Sequence, residues 1–202
     1  TQQVSSAASD VYKRQVTPVS DAENSTLDVS ADPSPRLVSI DWTHTETLLA
    51  LGVKPVAVAQ IPDYNSWVKS PEVPQTVADV GLRTQPNLER IHELKPDKIL
   101  LSPMFSTLET QLSKIAPVMT IGLYRSGDVD WSALERVTRQ LAEVSEKEPQ
   151  AEALIEQANA EMGRLGTQLP NNAPAMLMVQ FMDTNHVRVF GNNSLYKASV
   201  NK

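Results

Sequence analysis

Apolar and polar positions along this chain alternate with a β/α rhythm that begins at Arg36. Leu37-Val38-Ser39-Ile40 predicts a strand. Thr43 and Glu46 stand at capping-box spacing and predict the start of a helix holding Leu48, Leu49 and Leu51, which Gly52 is placed to end. Pro55 to Ala59 predicts the next strand, and Gln60 to Pro74 a polar-aromatic loop. The stretch Thr76 to Ser102 carries the most information. It predicts a strand ending at Val80-Gly81, a loop carrying Arg83, and a helix opening at Pro86-Asn87 with Leu88, Ile91 and Leu94 on one face. Lys95-Pro96 stops that helix, and Ile99-Leu100-Leu101 follows as an apolar strand. Strand, helix and strand in so few residues form a parallel crossover unit, whose ligands lie beyond the carboxyl ends of its strands.

Leu108, Leu112 and Ile115 then mark a helix ended by Pro117, and Val118 to Leu123 another strand. Trp131, Leu134, Val137, Leu141 and Val144 form one amphipathic stripe. Ala151, Leu154, Ala158, Met162, Leu165 and Leu169 form a second. A helix from Pro149 to Leu169 is about 30 Å long at roughly 1.5 Å per residue, enough to join two lobes. Pro170 to Pro174 breaks it. Met176 to Phe181 and Val187 to Phe190 predict a hairpin through Asp183-Thr184-Asn185, and Ser194 opens a further helix. The expected fold is α/β: a Rossmann-like parallel-sheet lobe over residues 36–145, a connecting helix over 146–170, and the start of a second α/β lobe over 175–202. A strand pair and a helical turn do not bury a core of their own, so the chain reads as a fragment with its second lobe incomplete. Residues 1–35, rich in Ser, Thr, Asp and Pro, read as a disordered leader or a non-native start without the apolar run of a signal peptide.

Composition narrows the function classes. The apolar share of 41% suits a folded domain, and no apolar run reaches bilayer length. A net charge of -6 argues against nucleic acid as partner. With no cysteine there is no thiol catalysis, zinc-thiolate site or disulfide, and the compartment stays open. No Gly-rich phosphate loop and no nucleophile-elbow motif is present, so no enzyme class gains support. His44, His92 and His186 lack metal-ligand spacing; only His44, near a strand end, is placed to line a site.

Arg83 is the foremost binding candidate, a cation at a strand end suited to oxygen atoms bearing negative charge. Most arginines are merely solvated, and the position is what raises this one. Tyr64, Trp67, Phe105 and Tyr124 all follow carboxyl ends of expected strands, where several aromatics suggest a flat apolar binding wall. Trp42, just after the first strand, faces either the cleft or the core.

Two blocks, LVSIDWTHTETLLALGVKPVAVA and VADVGLRTQPNLERIHELKPDKILLSPMF, together with FGNNSLY, resemble the periplasmic ferric-hydroxamate siderophore-binding proteins of ABC importers. The likeness covers roughly Arg36 to Tyr196. It implies a two-lobed binding protein joined by one rigid helix, acting by capture and not by catalysis. It also implies that Arg83 hydrogen-bonds hydroxamate oxygens and that Trp67 lines the apolar wall. Phe105 falls where some members carry a tyrosine, so its ring contact carries over but no hydroxyl does. Glu109 is the nearest match to a permease-docking glutamate. The implied ligand arrives as a pre-chelated iron(III) complex, so no cofactor and no protein metal ligand are expected. The implied partners are the siderophore and an inner-membrane ABC permease, with a monomeric, periplasmic protein. Binders of cobalamin, haem or a catecholate siderophore are alternatives within the same class. A Rossmann-like enzyme whose catalytic residues lie outside this chain is the alternative from another class.

Overall fold

The structure is a computed structural model, and it describes residues 34–123, 130–168, 177–191 and 194–200. Its centre is β1 (Leu37–Ser39), buried on both faces. Parallel to it on one side lie β2 (Ala57–Val58) and then β3 (Ala78–Asp79); on the other lie β6 (Lys98–Leu101) and β7 (Val118–Thr120). Between β3 and β6 the chain makes a small antiparallel hairpin, β4 (Gly81–Leu82) and β5 (Gln85–Pro86), then α3 (Leu88–Glu93). The expected crossover therefore exists, but it passes over β2 and β1 to the far side of the sheet. The strand order reverses between β1 and β6, and their carboxyl ends form the crevice that open parallel sheets use for ligands.

Side-chain alternation divides the sheet into two dry faces. Val38, Ile99 and Leu101 pack with Ile91 of α3 and Leu112 of α4 (Glu109–Leu112). Leu37 and Leu100 pack with Leu48 of α1 (Trp42–Ala50) and Val137 and Leu141 of α5 (Trp131–Ser145). α5 is capped by Asp130, which accepts a 2.8 Å hydrogen bond from the Ala133 amide. α6 (Glu148–Gly166) lies on α5, with Ala151 and Ile155 buried, an Arg139–Glu152 ion pair at 2.7 Å and a Trp131-to-Asn159 hydrogen bond at 2.7 Å. Leu169 lies outside the described residues. Beyond α6, β8 (Met178–Phe181) and β9 (Val187–Phe190) pair antiparallel. α7 (Leu195–Val200) follows and packs on α5, burying Ala198.

Several local expectations change. The cap of α1 is Asp41, whose carboxylate accepts from the Thr43 amide at 2.8 Å. Thr43 is thus inside the helix, because the carboxylate one residue beyond Ile40 reaches the open amides first. Gln60 to Pro74 is not all loop: α2 (Ile61–Trp67) follows Gln60, which takes a left-handed conformation at φ 60°. The helix expected around Leu108 to Ile115 is a 3-10 segment (Pro103–Leu108) leading into the short α4. β7 ends at Thr120 instead of Leu123. The end of α1 follows expectation, with Gly52 left-handed at φ 78° just after the helix.

Candidate functional site

The carboxyl edge of the sheet is built from the residues that leave β1, β2, β3 and β6. Asp41 leaves β1, and one oxygen caps α1 while the other accepts the Ser102 hydroxyl at 2.6 Å. That bond ties the end of β1 to the end of β6 at the strand-order reversal. Beside it opens a pocket of about 120 Å³ lined by Asp41, Thr43, Ser102, Pro103, Met104 and Leu123. It holds a few atoms only. Gly122 lies close under this turn, since a Cβ there would stand 2.7 Å from Pro103 Cγ.

Arg83 sits in the turn of the β4–β5 hairpin. Gly81 makes the entry with φ 82°, a conformation that favours glycine, and its amide donates to Asp79 at 2.8 Å. The guanidinium Cζ lies 3.6 Å from the centre of the Trp42 ring and 5.6 Å from that of Phe105. Nε is enclosed and has no hydrogen-bond partner. No carboxylate pairs with Arg83 among the described residues. Trp42 serves both surfaces left open by its sequence position: its indole N–H donates to the Ala59 carbonyl at 3.1 Å, and its ring lies under the cation. Phe105 is 6% exposed and belongs to the core, with Arg83 over its outer side.

The remaining candidates separate. Tyr64 does not line the edge. It is wholly buried in a small cluster with Val58, Val73 and Val77, and its hydroxyl donates to the Pro71 carbonyl at 2.9 Å. Burial and the nearby Glu46 push its pKa up to about 12. The α2 helix accounts for this, since its inward residue meets the end of β2. Trp67, at the other end of α2, is 76% exposed. Tyr124 lies outside the described residues. Glu109 opens α4 as an exposed side chain. His44 does not line the site either: it is buried on α1, its Nε2 donating to the Ile121 carbonyl at 3.0 Å, and burial lowers its pKa. His92 is exposed, and His186 pairs with Asp183 at 2.8 Å in the hairpin turn. No cluster of His, Asp and Glu suited to a metal ion is found among the described residues.

Leu82 and Met104 escaped the reading of the sequence. They are 53% and 76% exposed, follow β3 and β6, and extend the apolar rim. Their signal was their place three residues beyond the strand ends Asp79 and Leu101, in side chains that are apolar without being aromatic. Asp41 and Ser102 were missed because only the spatial adjacency of β1 and β6 pairs them.

Among the described residues, Arg83 thus stands without a carboxylate partner on an aromatic shelf at the carboxyl edge of a parallel sheet. The family model described as periplasmic binding protein matches residues 37–202, and the chain belongs to that family. The iron(3+)-hydroxamate-binding protein FhuD of Escherichia coli (strain K12) is 32% identical over 167 residues, 82% of this chain and 56% of that protein. The crystal structure of the Fe3+-Desferal-bound siderophore-binding protein FhuD from Vibrio cholerae superposes with a TM-score of 0.74 at 32% identity, covering 79% of this chain and 62% of the other. The periplasmic catecholate-siderophore-binding protein VctP, also from Vibrio cholerae, gives a TM-score of 0.63 at 28% identity, covering 82% and 58%. The chain thus spans a little over half the length of these relatives.

Proposed function

We propose that this chain belongs to the substrate-binding component of an ABC importer that captures iron(III)-hydroxamate siderophores in the periplasm and delivers them to an inner-membrane permease. The observation that carries this reading is the Arg83 guanidinium, backed by two aromatic rings and free of any carboxylate partner among the described residues. A ferric trihydroxamate is compact and nearly neutral, with negative charge concentrated on its coordinating oxygens. One fixed cation offers those oxygens charge-assisted hydrogen bonds without burying several charges. A catecholate complex, more highly charged, calls for more basic groups than the described residues of this edge present. The hydroxamate class is supported by the name of the Escherichia coli relative and by the Desferal complex of the Vibrio cholerae FhuD.

In this reading Trp67 and Phe105 supply apolar wall, and the iron needs no ligand from the protein because it arrives chelated. Glu109, exposed on α4, faces the permease, and the binding protein works as a monomer. Tryptophan emission titrated with ferrioxamine- and ferrichrome-type complexes tests the assignment, with quenching expected from a coloured complex beside Trp67. Arg83→Ala should weaken binding by about 1.5–3 kcal/mol, the scale of a hydrogen bond to a charged group, with little change in melting temperature. Quenching by cobalamin, haem or a ferric catecholate, with none by hydroxamates, would overturn the hydroxamate assignment.

A further inference from the structure

Arg83 is carried by an exposed turn, yet its guanidinium is held in one place. Gly81, Leu82, Thr84 and Gln85 around it are all exposed, so the hairpin backbone alone leaves a long side chain free to turn. What restrains it is Trp42, 3.6 Å beneath the guanidinium. Trp42 is itself fixed from two sides. Its N–H is spent on the Ala59 carbonyl, and its ring meets Tyr64 edge-on at 6.2 Å with planes at 82°. Tyr64 in turn is buried and anchored through its hydroxyl to Pro71. A continuous stack therefore runs from the core through Tyr64 and Trp42 to the cation at the edge.

We propose that Trp42 is the positioning residue of Arg83, acting on the ligand through the cation and not as part of the wall. The indole face attracts the guanidinium, limits its rotamers and removes water from one side, so its outward N–H groups meet ligand oxygens with less ordering left to do. The ligand class rests on the proposed function; the Arg83–Trp42 contact does not.

Two measurements separate these. In the ligand-free 202-residue chain, the Arg83 Nε–H resonance should be shifted upfield by the ring current and exchange slowly with water. Trp42→Leu should move it to the position of solvated arginines, and Trp42→Phe, which keeps a ring against Tyr64, should restore part of the shift. A wild-type resonance already at the solvated position overturns the proposal. In binding of a ferrioxamine complex, Trp42→Leu should weaken affinity about tenfold in the wild-type background, and not at all in the Arg83→Ala background. An equal loss in both backgrounds means that Trp42 touches the ligand directly, and the positioning role fails. If Arg83→Ala leaves affinity unchanged, the functional reading falls, and the ligand-free resonance still decides the positioning.

Discussion

His44 shows how burial assigns one residue to structure where its sequence position leaves a site role open. Its Nε2–H meets the Ile121 carbonyl, while Nδ1 is enclosed with no partner, an arrangement that tolerates only the neutral ring. Desolvation holds its pKa below the ordinary 6.5, outweighing the opposing pull of Asp41. The unfolded chain therefore takes up this proton first as pH falls, and the stability present above 6.5 is lost progressively between 6.5 and the lower folded pKa. Urea unfolding midpoints should hold steady from pH 8 to 7 and decline below 6.5. His44→Gln keeps an N–H donor without the titration, so its midpoint should decline less over pH 6.5 to 5. Parallel curves for the two proteins would mean that the folded state accepts the charge. Arg83 is the converse case. Its type and position were legible, whereas its stacking partner depended on how β1 and β3 are brought together across β2.

At the scale of elements, what the sequence made legible was the strands and the order of the β/α rhythm. Leu37-Val38 and Ile99 to Leu101 are unbroken apolar runs because a central parallel strand is buried on both faces. α5 was equally plain from its apolar stripe. The short pieces were not. α2, in Ile61–Trp67, is too brief for a helical period to show, and the turn of Pro103–Leu108 starts against Gly122, a neighbour distant in sequence. These are the elements that place Tyr64 in the core and Phe105 under Arg83, so the site was read less well than the sheet. Asp41 links two elements at once, capping α1 and receiving Ser102 from the end of β6. Asp41→Ala should cost about 1–3 kcal/mol in urea unfolding, from a lost cap and an abandoned hydroxyl. Ser102→Ala should cost less, because the cap survives. Equal losses from the two substitutions would show that the cap contributes nothing and that the strand-end bond alone matters.

Over the whole molecule, burial is unevenly distributed along the chain. The sheet and the helices packed on it contain most of the fully enclosed side chains, including Ile40, Leu48 of α1, Ile99 of β6 and Leu141 of α5. Cover over α6 thins along its length: Ala151 and Ile155 are buried, Ala158 and Met162 half-buried, and Leu165 42% exposed. The β8–β9 hairpin is exposed on both faces, with Phe181 at 79% on one and Met178 at 41% on the other. Among the described residues its local support is at the far end, where the Phe190 ring meets Tyr196 at 4.8 Å and Ala198 of α7 is buried. A two-stranded ribbon without a covered face is at best marginally stable in water. Local opening free energy follows the apolar contact that opening must break. Amide exchange in the 202-residue chain should therefore be slow across β1, β6, α1 and α5, and fast across Met178 to Phe190 despite the paired ladder. The second half of α6 should lie between. Exposed apolar strands also favour association, so the hairpin's exchange should slow as protein concentration rises. Slow exchange over Met178 to Phe190 at micromolar concentration, in protein shown to be monomeric by sedimentation, would mean that the hairpin is stabilised by contacts this structure does not contain. The expectation that residues 36–145 alone form the stable lobe would then fail with it.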